Sequence, residues 1–201
     1  FPGYRTTEIE KAIDHGIKFI LSQQKDDGSW YGSWAVCFTY GTWFAVEVLM
    51  KWKEEMKRNN QPRLDEITRI QRSIDKAVTF LYSKQNVDGG WGESFESCVK
   101  KEYLPPHTSQ IVNTSWALLS LMAADVTDKQ RIEKGIQLLQ SRQMSSGDFP
   151  QEGISGVFNH SCGISYTAYR NVFPIWTLGR YLKKYKAAKS KIKRREERVG
   201  I

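Results

Sequence analysis

Apolar residues return every three or four positions through much of the chain, as at Ile13, Ile17, Ile20 and Leu21 and again at Ile74, Ala77, Val78 and Leu81, and each run stops at a glycine. That spacing is the stripe of an amphipathic helix closed by a turn. Between these runs lie more uniformly hydrophobic stretches, Trp43 to Met56, Gln110 to Ala124 and Tyr166 to Leu182, the last interrupted by Pro174. No strand-like alternation of useful length is present. The pattern therefore predicts an all-α protein in which amphipathic and apolar helices alternate as side-by-side pairs. With the apolar helices inside and the amphipathic ones outside, the pairs form an arc rather than a closed ring, and an arc leaves an open hydrophobic edge.

The helical runs belong to a longer repeat. Gly16 to Trp30 and Ala77 to Trp91 carry Gln, Gly and Trp in the same register, and Gly135 to Phe149 keeps the Gln and Gly with Phe149 in place of the Trp. The glutamines at 24, 85 and 143 are 61 and 58 residues apart, too far for one helix-turn-helix solenoid unit and suited to a helical pair with elaborate connections. A Gln amide near a helix end can bond backbone groups of a neighbouring helix while its plane stacks on the aromatic ring, and the Gly supplies the turn that brings the ring back. Gln24, Trp30, Gln85, Trp91, Gln143 and Phe149 are thus expected to be structural clamps.

Composition adds that the helices enclose a real core: 40% of the 201 residues are hydrophobic and seven are Trp, enough for one packed domain and too much aromatic surface for a disordered chain. No run approaches the ~18 apolar residues of a membrane-spanning helix, and no charged and apolar leader opens the chain. The first residue is Phe1 rather than Met, as in a piece or processed product of a longer protein. The formal charge of +8 is concentrated, since Lys183 to Ile201 holds nine Lys/Arg against Glu196 and Glu197. Residues 1–182 are accordingly read as the domain and 183–201 as a basic, solvated, disordered tail, with no nucleic-acid partner. Cys37, Cys98 and Cys162 are odd in number and too few for a disulfide framework, so reduced buried thiols and a reducing compartment are expected.

The triple Gln…Gly-x-aromatic pattern resembles the QW motif of the squalene and oxidosqualene cyclases. Three segments sharpen the resemblance: Asp27 to Trp43 (DGSWYGSWAVCFTYGTW), Asp88 to Cys98 (DGGWGESFESC) and Gly156 to Trp176 (GVFNHSCGISYTAYRNVFPIW). It covers roughly residues 1–182. Bacterial squalene-hopene cyclases usually carry a second Phe where this chain has Cys162, so the resemblance favours the eukaryotic, sterol-forming branch. It implies the C-terminal half of an α/α barrel, in an enzyme that protonates the epoxide of 2,3-oxidosqualene and folds the polyene into a tetracyclic sterol of the lanosterol type, without metal or organic cofactor. The Asp-Cys-Thr-Ala-Glu segment whose Asp is the family's proton donor does not occur here, and the resemblance places it in a missing N-terminal part of the same enzyme. The His and Tyr of the final deprotonation and the membrane-docking helix fall there too. Peripheral attachment to the cytosolic side of the endoplasmic reticulum, or to lipid droplets, is also implied.

Polyene cyclisation generates carbocations that must be stabilised without being quenched, which calls for polarisable, non-nucleophilic walls. An aromatic face within ~6 Å of a cation supplies ~2 kcal/mol or more in a desolvated site. By the resemblance, Trp34 stabilises the early ring cations and Phe158 the later D-ring and side-chain cation, with Asn159, Ile164, Tyr166, Tyr40 and Tyr169 as further cavity wall; Cys37, three residues after Trp34, is expected to line the same pocket, and without a paired base it is no nucleophile. Without it, Trp34 and Phe158 read as core aromatics. His15, His107 and His160 show no zinc-ligand spacing, His160 is expected to be a hydrogen-bonded structural residue, and Glu93 and Glu96 read as turn or surface carboxylates. Two other identities remain open: a prenyltransferase β-subunit-like protein, which needs an Asp/Cys/His zinc set, and a non-catalytic helical-repeat scaffold.

Overall fold

The computed structural model describes residues 3–58 and 63–186. Its elements are α1 (Thr6–Ser22), α2 (Cys37–Arg58), α3 (Leu64–Ser83), the short α4 (Glu96–Lys100), α5 (Ile111–Ala123), α6 (Lys129–Ser141), β1 (Gly156–Phe158), β2 (Cys162–Ile164) and α7 (Tyr169–Tyr181), continued by a π-helical turn, Leu182–Lys186. The expected all-α architecture holds, and the one addition is the antiparallel β1–β2 hairpin, whose strands are too short to show in a hydropathy pattern.

The layering follows from which helices are apolar all round. Every residue of α5 from Ile111 to Met122 is buried, which only a helix enclosed by others can satisfy. It lies between α2 and α7, while α3 packs on α2 and α6 packs on α5. The apolar helices α2, α5 and α7 therefore form one layer and the repeat helices α1, α3 and α6 the other. Pro174 does not break α7. It is buried within the helix, and packing on α5 outweighs the loss of one backbone bond. Helical structure also passes the 182/183 boundary, where Lys184 Nζ pairs with Asp125 Oδ1 at 2.7 Å; residues 187–201 of the tail lie outside the described residues.

The clamps fasten the layers. The Gln24 side-chain amide donates to the Gly28 carbonyl at 2.9 Å and to the Ser73 carbonyl of α3 at 2.8 Å. Gln85 repeats this with the Gly89 and Arg131 carbonyls, both at 2.9 Å. The indole N–H groups of Trp30 and Trp91 return to the Ile20 and Leu81 carbonyls at 2.7 Å, satisfying helix C-terminal acceptors. Gly28 and Gly89 have φ of 91° and 87°, and a Cβ on either would come within 2.4 or 2.7 Å of Lys76 or Lys134 on the next outer helix. Gln143 bonds its own Gly147 carbonyl at 2.8 Å but is exposed, because among the described residues no further outer helix follows it.

Two expectations are overturned by packing. Glu93 is not a surface carboxylate: it is fully buried and sits at the N-terminus of α2, accepting from the backbone N–H groups of Cys37, Phe38 and Thr39 and from the Thr39 hydroxyl at 3.0 to 3.1 Å. Burial holds its carboxyl pKa above the usual carboxylate value, and these donors offset only part of that rise. Nor are the buried thiols reduced. Cys37 opens α2 beside α4, and with Cα atoms 5.9 Å apart it is joined to Cys98 by a disulfide, while Cys162 is free and exposed. Glu96 is exposed as expected.

Three measurements check this framework. Trp91→Ala empties a fully buried indole site and should lower stability by about 3–5 kcal/mol in chemical denaturation. Glu93→Ala leaves the first turn of α2 unpaired inside the core and should cost about 3 kcal/mol or more. Titration of the denatured, unreduced chain should find one thiol, rising to three after reduction.

Candidate functional site

Trp34 and Phe158 are 124 residues apart, and an extended backbone segment brings them together. The chain from Trp34 to Val36, just before α2, pairs with the edge of the hairpin: Val36 N–H donates to Ser155 O at 3.0 Å, Val157 N–H to Trp34 O at 3.3 Å, and Ala35 bridges Gly156. The Trp34 and Phe158 rings consequently lie side by side with centroids 5.9 Å apart. They are not the core aromatics that sequence pattern alone suggested, since Trp34 is 62% and Phe158 52% exposed. Two large rings held outward by backbone pairing form an exposed aromatic patch on this chain.

The hairpin tip completes one end of this surface. Asn159 and His160 adopt positive φ of 49° and 63°, the sense of a tight turn that matches the strand twist. With Ser33, Trp34 and Phe158 they line a recess of ≈ 210 Å³. His160 Nδ1 lies 3.1 Å from the Tyr31 hydroxyl, which also donates to the Cys98 carbonyl at 3.2 Å, so the tip is fastened to the α4 region. Ser33 and Trp34 continue into a larger groove of ≈ 670 Å³ that includes Tyr31, Tyr40, Phe44 and Val48. Gly32 and Gly41 permit the close approach of its floor to α2, where an added Cβ at either would come within 2.5 Å of Tyr40 or the Trp30 carbonyl.

The remaining expected wall residues divide. Tyr40 meets Phe44 at 4.9 Å and the buried Trp116 at 5.4 Å, and Trp116 meets Tyr169 at 6.3 Å, which in turn lies 4.7 Å from Tyr166. Tyr40, Tyr166 and Tyr169 thus belong to one half-buried aromatic band running from α2 to α7. Burial raises the phenol pKa of Tyr40 and Tyr169, so both stay neutral and offer ring faces rather than phenolate oxygens. Ile164 is half-buried on β2 opposite Gly156, away from the Trp34 recess. Cys37 is a correction: it is completely buried and disulfide-bonded, and so lines no cavity. Sequence reasoning missed Tyr31, Ser33 and Phe44; the last was signalled by its i+4 spacing from Tyr40, whereas nothing local announces the contact of Tyr31 with His160.

An arc of paired helices, clamped at their turns and carrying an exposed aromatic surface, defines a repeat-built α/α protein. Comparison with known proteins makes the class specific. Residues 2–183 match the family model of the squalene-hopene cyclase C-terminal domain, and the chain belongs to that family of triterpene cyclases. It is 46% identical over 185 residues to lanosterol synthase of Homo sapiens, covering 92% of this chain and 24% of that protein. It is 53% identical over 188 residues to cycloartenol synthase of Dictyostelium discoideum, covering 94% and 25%, and 43% identical over 182 residues to lanosterol synthase ERG7 of Saccharomyces cerevisiae, covering 90% and 23%. The chain spans about a quarter of the length of these curated relatives.

Proposed function

We propose that this chain supplies one wall of an oxidosqualene cyclase that converts 2,3-oxidosqualene to a tetracyclic, lanosterol-type sterol. The observation that carries the proposal is the Trp34–Phe158 pair, two exposed rings 5.9 Å apart at the end of an apolar groove. Their quadrupoles present negative faces and no nucleophile, which is what a migrating carbocation requires: each ring within ~6 Å contributes ~2 kcal/mol or more, and each 1.36 kcal/mol is about tenfold in rate. Trp34 is assigned to an early ring cation and Phe158 to a late one, with Asn159, the neutral phenols of Tyr40 and Tyr169, and the Tyr166 ring as supporting wall. The acid that opens the epoxide comes from the part of the enzyme outside this sequence, and no cofactor is assigned. The same enzyme associates peripherally with the cytosolic face of the endoplasmic reticulum or with lipid droplets, where its lipid substrate partitions.

A chimera tests the activity directly. The matching segment of Saccharomyces cerevisiae lanosterol synthase is replaced by residues 2–183 of this chain, and products from 2,3-oxidosqualene are identified by mass spectrometry. A tetracyclic sterol is expected, whereas the purified chain by itself should give none for want of the acid. A folded chimera that forms no cyclised product would sink the proposal. In the same chimera, Phe158→Leu keeps apolar bulk and removes the ring face, so epoxide opening should survive and prematurely terminated products should accumulate. Normal sterol alone at an undiminished rate would return Phe158 to a packing role.

A further inference from the structure

The hairpin that carries Phe158 is held at its base by the backbone bonds to the Trp34–Val36 segment, the last of which is at Val157. Phe158 pairs with Cys162 as the final rung of the ladder, and beyond it the chain turns through Asn159 and His160. Both adopt left-handed φ without being glycine, a conformation that costs an L-residue energy and persists where the surroundings hold it. Phe158 therefore stands between a pinned base and a tip that needs a restraint of its own.

Tyr31, 129 residues before His160, provides that restraint. Its hydroxyl has one proton and donates it to the Cys98 carbonyl at 3.2 Å, so in the 3.1 Å contact with His160 the imidazole Nδ1 is the donor. The two rings also stack, with centroids 6.4 Å apart and planes at 22°. Tyr31 is itself well fixed. Its ring meets the buried Phe38 edge-on at 5.6 Å, the Phe38 N–H is held by Glu93, and the Cys98 that accepts from the hydroxyl is buried and disulfide-linked to Cys37. The tip thus leans, through one hydroxyl, on the most firmly held part of the α2 and α4 region.

We infer that Tyr31 and His160 form a latch that positions Phe158, and that the latch governs how often cyclisation runs to completion past the early ring cations. This rests on the reading of Phe158 as the wall for a late cation. Trp34 lies on the segment before α2 and keeps its place without the latch, whereas loss of the hydroxyl leaves the tip free to swing about the base and to carry the Phe158 ring away from Trp34. Both are positioning residues, acting through Phe158 rather than on the migrating cation.

Two measurements separate the latch from its consequence. The chain has only three histidines, His15, His107 and His160, and an imidazole nitrogen NMR spectrum recorded above the titration range of histidine reports which ring nitrogen carries the proton. His160, identified by the signals missing from His160→Asn, is expected as the Nδ1–H tautomer, reverting to Nε2–H in Tyr31→Phe. An Nε2–H imidazole in the unaltered chain, or a tautomer indifferent to Tyr31→Phe, would overturn the latch. In the chimera carrying residues 2–183, Tyr31→Phe and His160→Ala should each raise the ratio of prematurely terminated products to tetracyclic sterol by about fivefold, the factor of one lost hydrogen bond. His160→Asn, whose amide takes the place of Nδ1 and suits the left-handed turn, should bring that ratio back. A merely structural role would lower all products together and leave the ratio unmoved, which would overturn the positioning role even with the latch present. An unaltered chimera that forms no cyclised product sinks the cyclase reading and the positioning role with it, while the tautomer decides the latch in either case.

Discussion

A primary amide carries two protons, and the fold rests on where the clamp glutamines send both. One closes the local turn on a glycine carbonyl and the other reaches a carbonyl of the next outer helix. Such a carbonyl is already used within its helix, but its second lone pair is available, so the bond adds without breaking anything. The reciprocal contacts, Ser73 hydroxyl and Arg131 guanidinium to the amide oxygens of Gln24 and Gln85, leave no buried polar atom of the clamp idle. Because the Gln24 and Gln85 clamps each fix their own turn and the following outer helix at once, the spacing between these helical pairs is set repeat by repeat.

That spacing is what holds the candidate site. The turn following each clamp leads into an inner helix, and Glu93 from the second clamp region crosses over to cap the inner helix that follows the first. A buried carboxylate held only by helix-terminal donors is costly to remove and indifferent to side-chain rearrangement elsewhere, so it pins the start of α2 firmly. Trp34 lies three residues before that start, and the hairpin carrying Phe158 pairs with the intervening backbone. The aromatic surface is therefore positioned by backbone hydrogen bonds on one side and a buried, hydrogen-bonded carboxyl group on the other. This arrangement leaves the rings themselves free of packing duties and available to a ligand.

The open edge expected of an arc is chemically uneven. Among the described residues the Gln24 and Gln85 interlocks are complete, whereas Gln143 holds only its own turn.

Helical periodicity, the three clamp copies and the family they mark were all legible from residues close together in the chain. Ile13, Ile17 and Ile20 lie on one stripe whatever surrounds them, and a Gly between Gln and Trp needs its positive φ wherever the turn is placed. Glu93, Cys37 and the Trp34–Phe158 pair were not legible in this way. A glutamate in a glycine-rich turn is ordinarily solvated, and only the arrival of the α2 N-terminus from 55 residues away supplies the donors that make its burial possible. Cys37 read as cavity wall because it is three residues from Trp34, but the helix that begins at Cys37 turns it inward to Cys98. Trp34 and Phe158 read as core by composition, and they are exposed because the short hairpin spends its backbone on pairing and leaves alternate side chains outside. Sequence determined what each segment is; the tertiary structure decided which charges, thiols and rings face one another, because burial and pairing depend on partners that no local pattern contains.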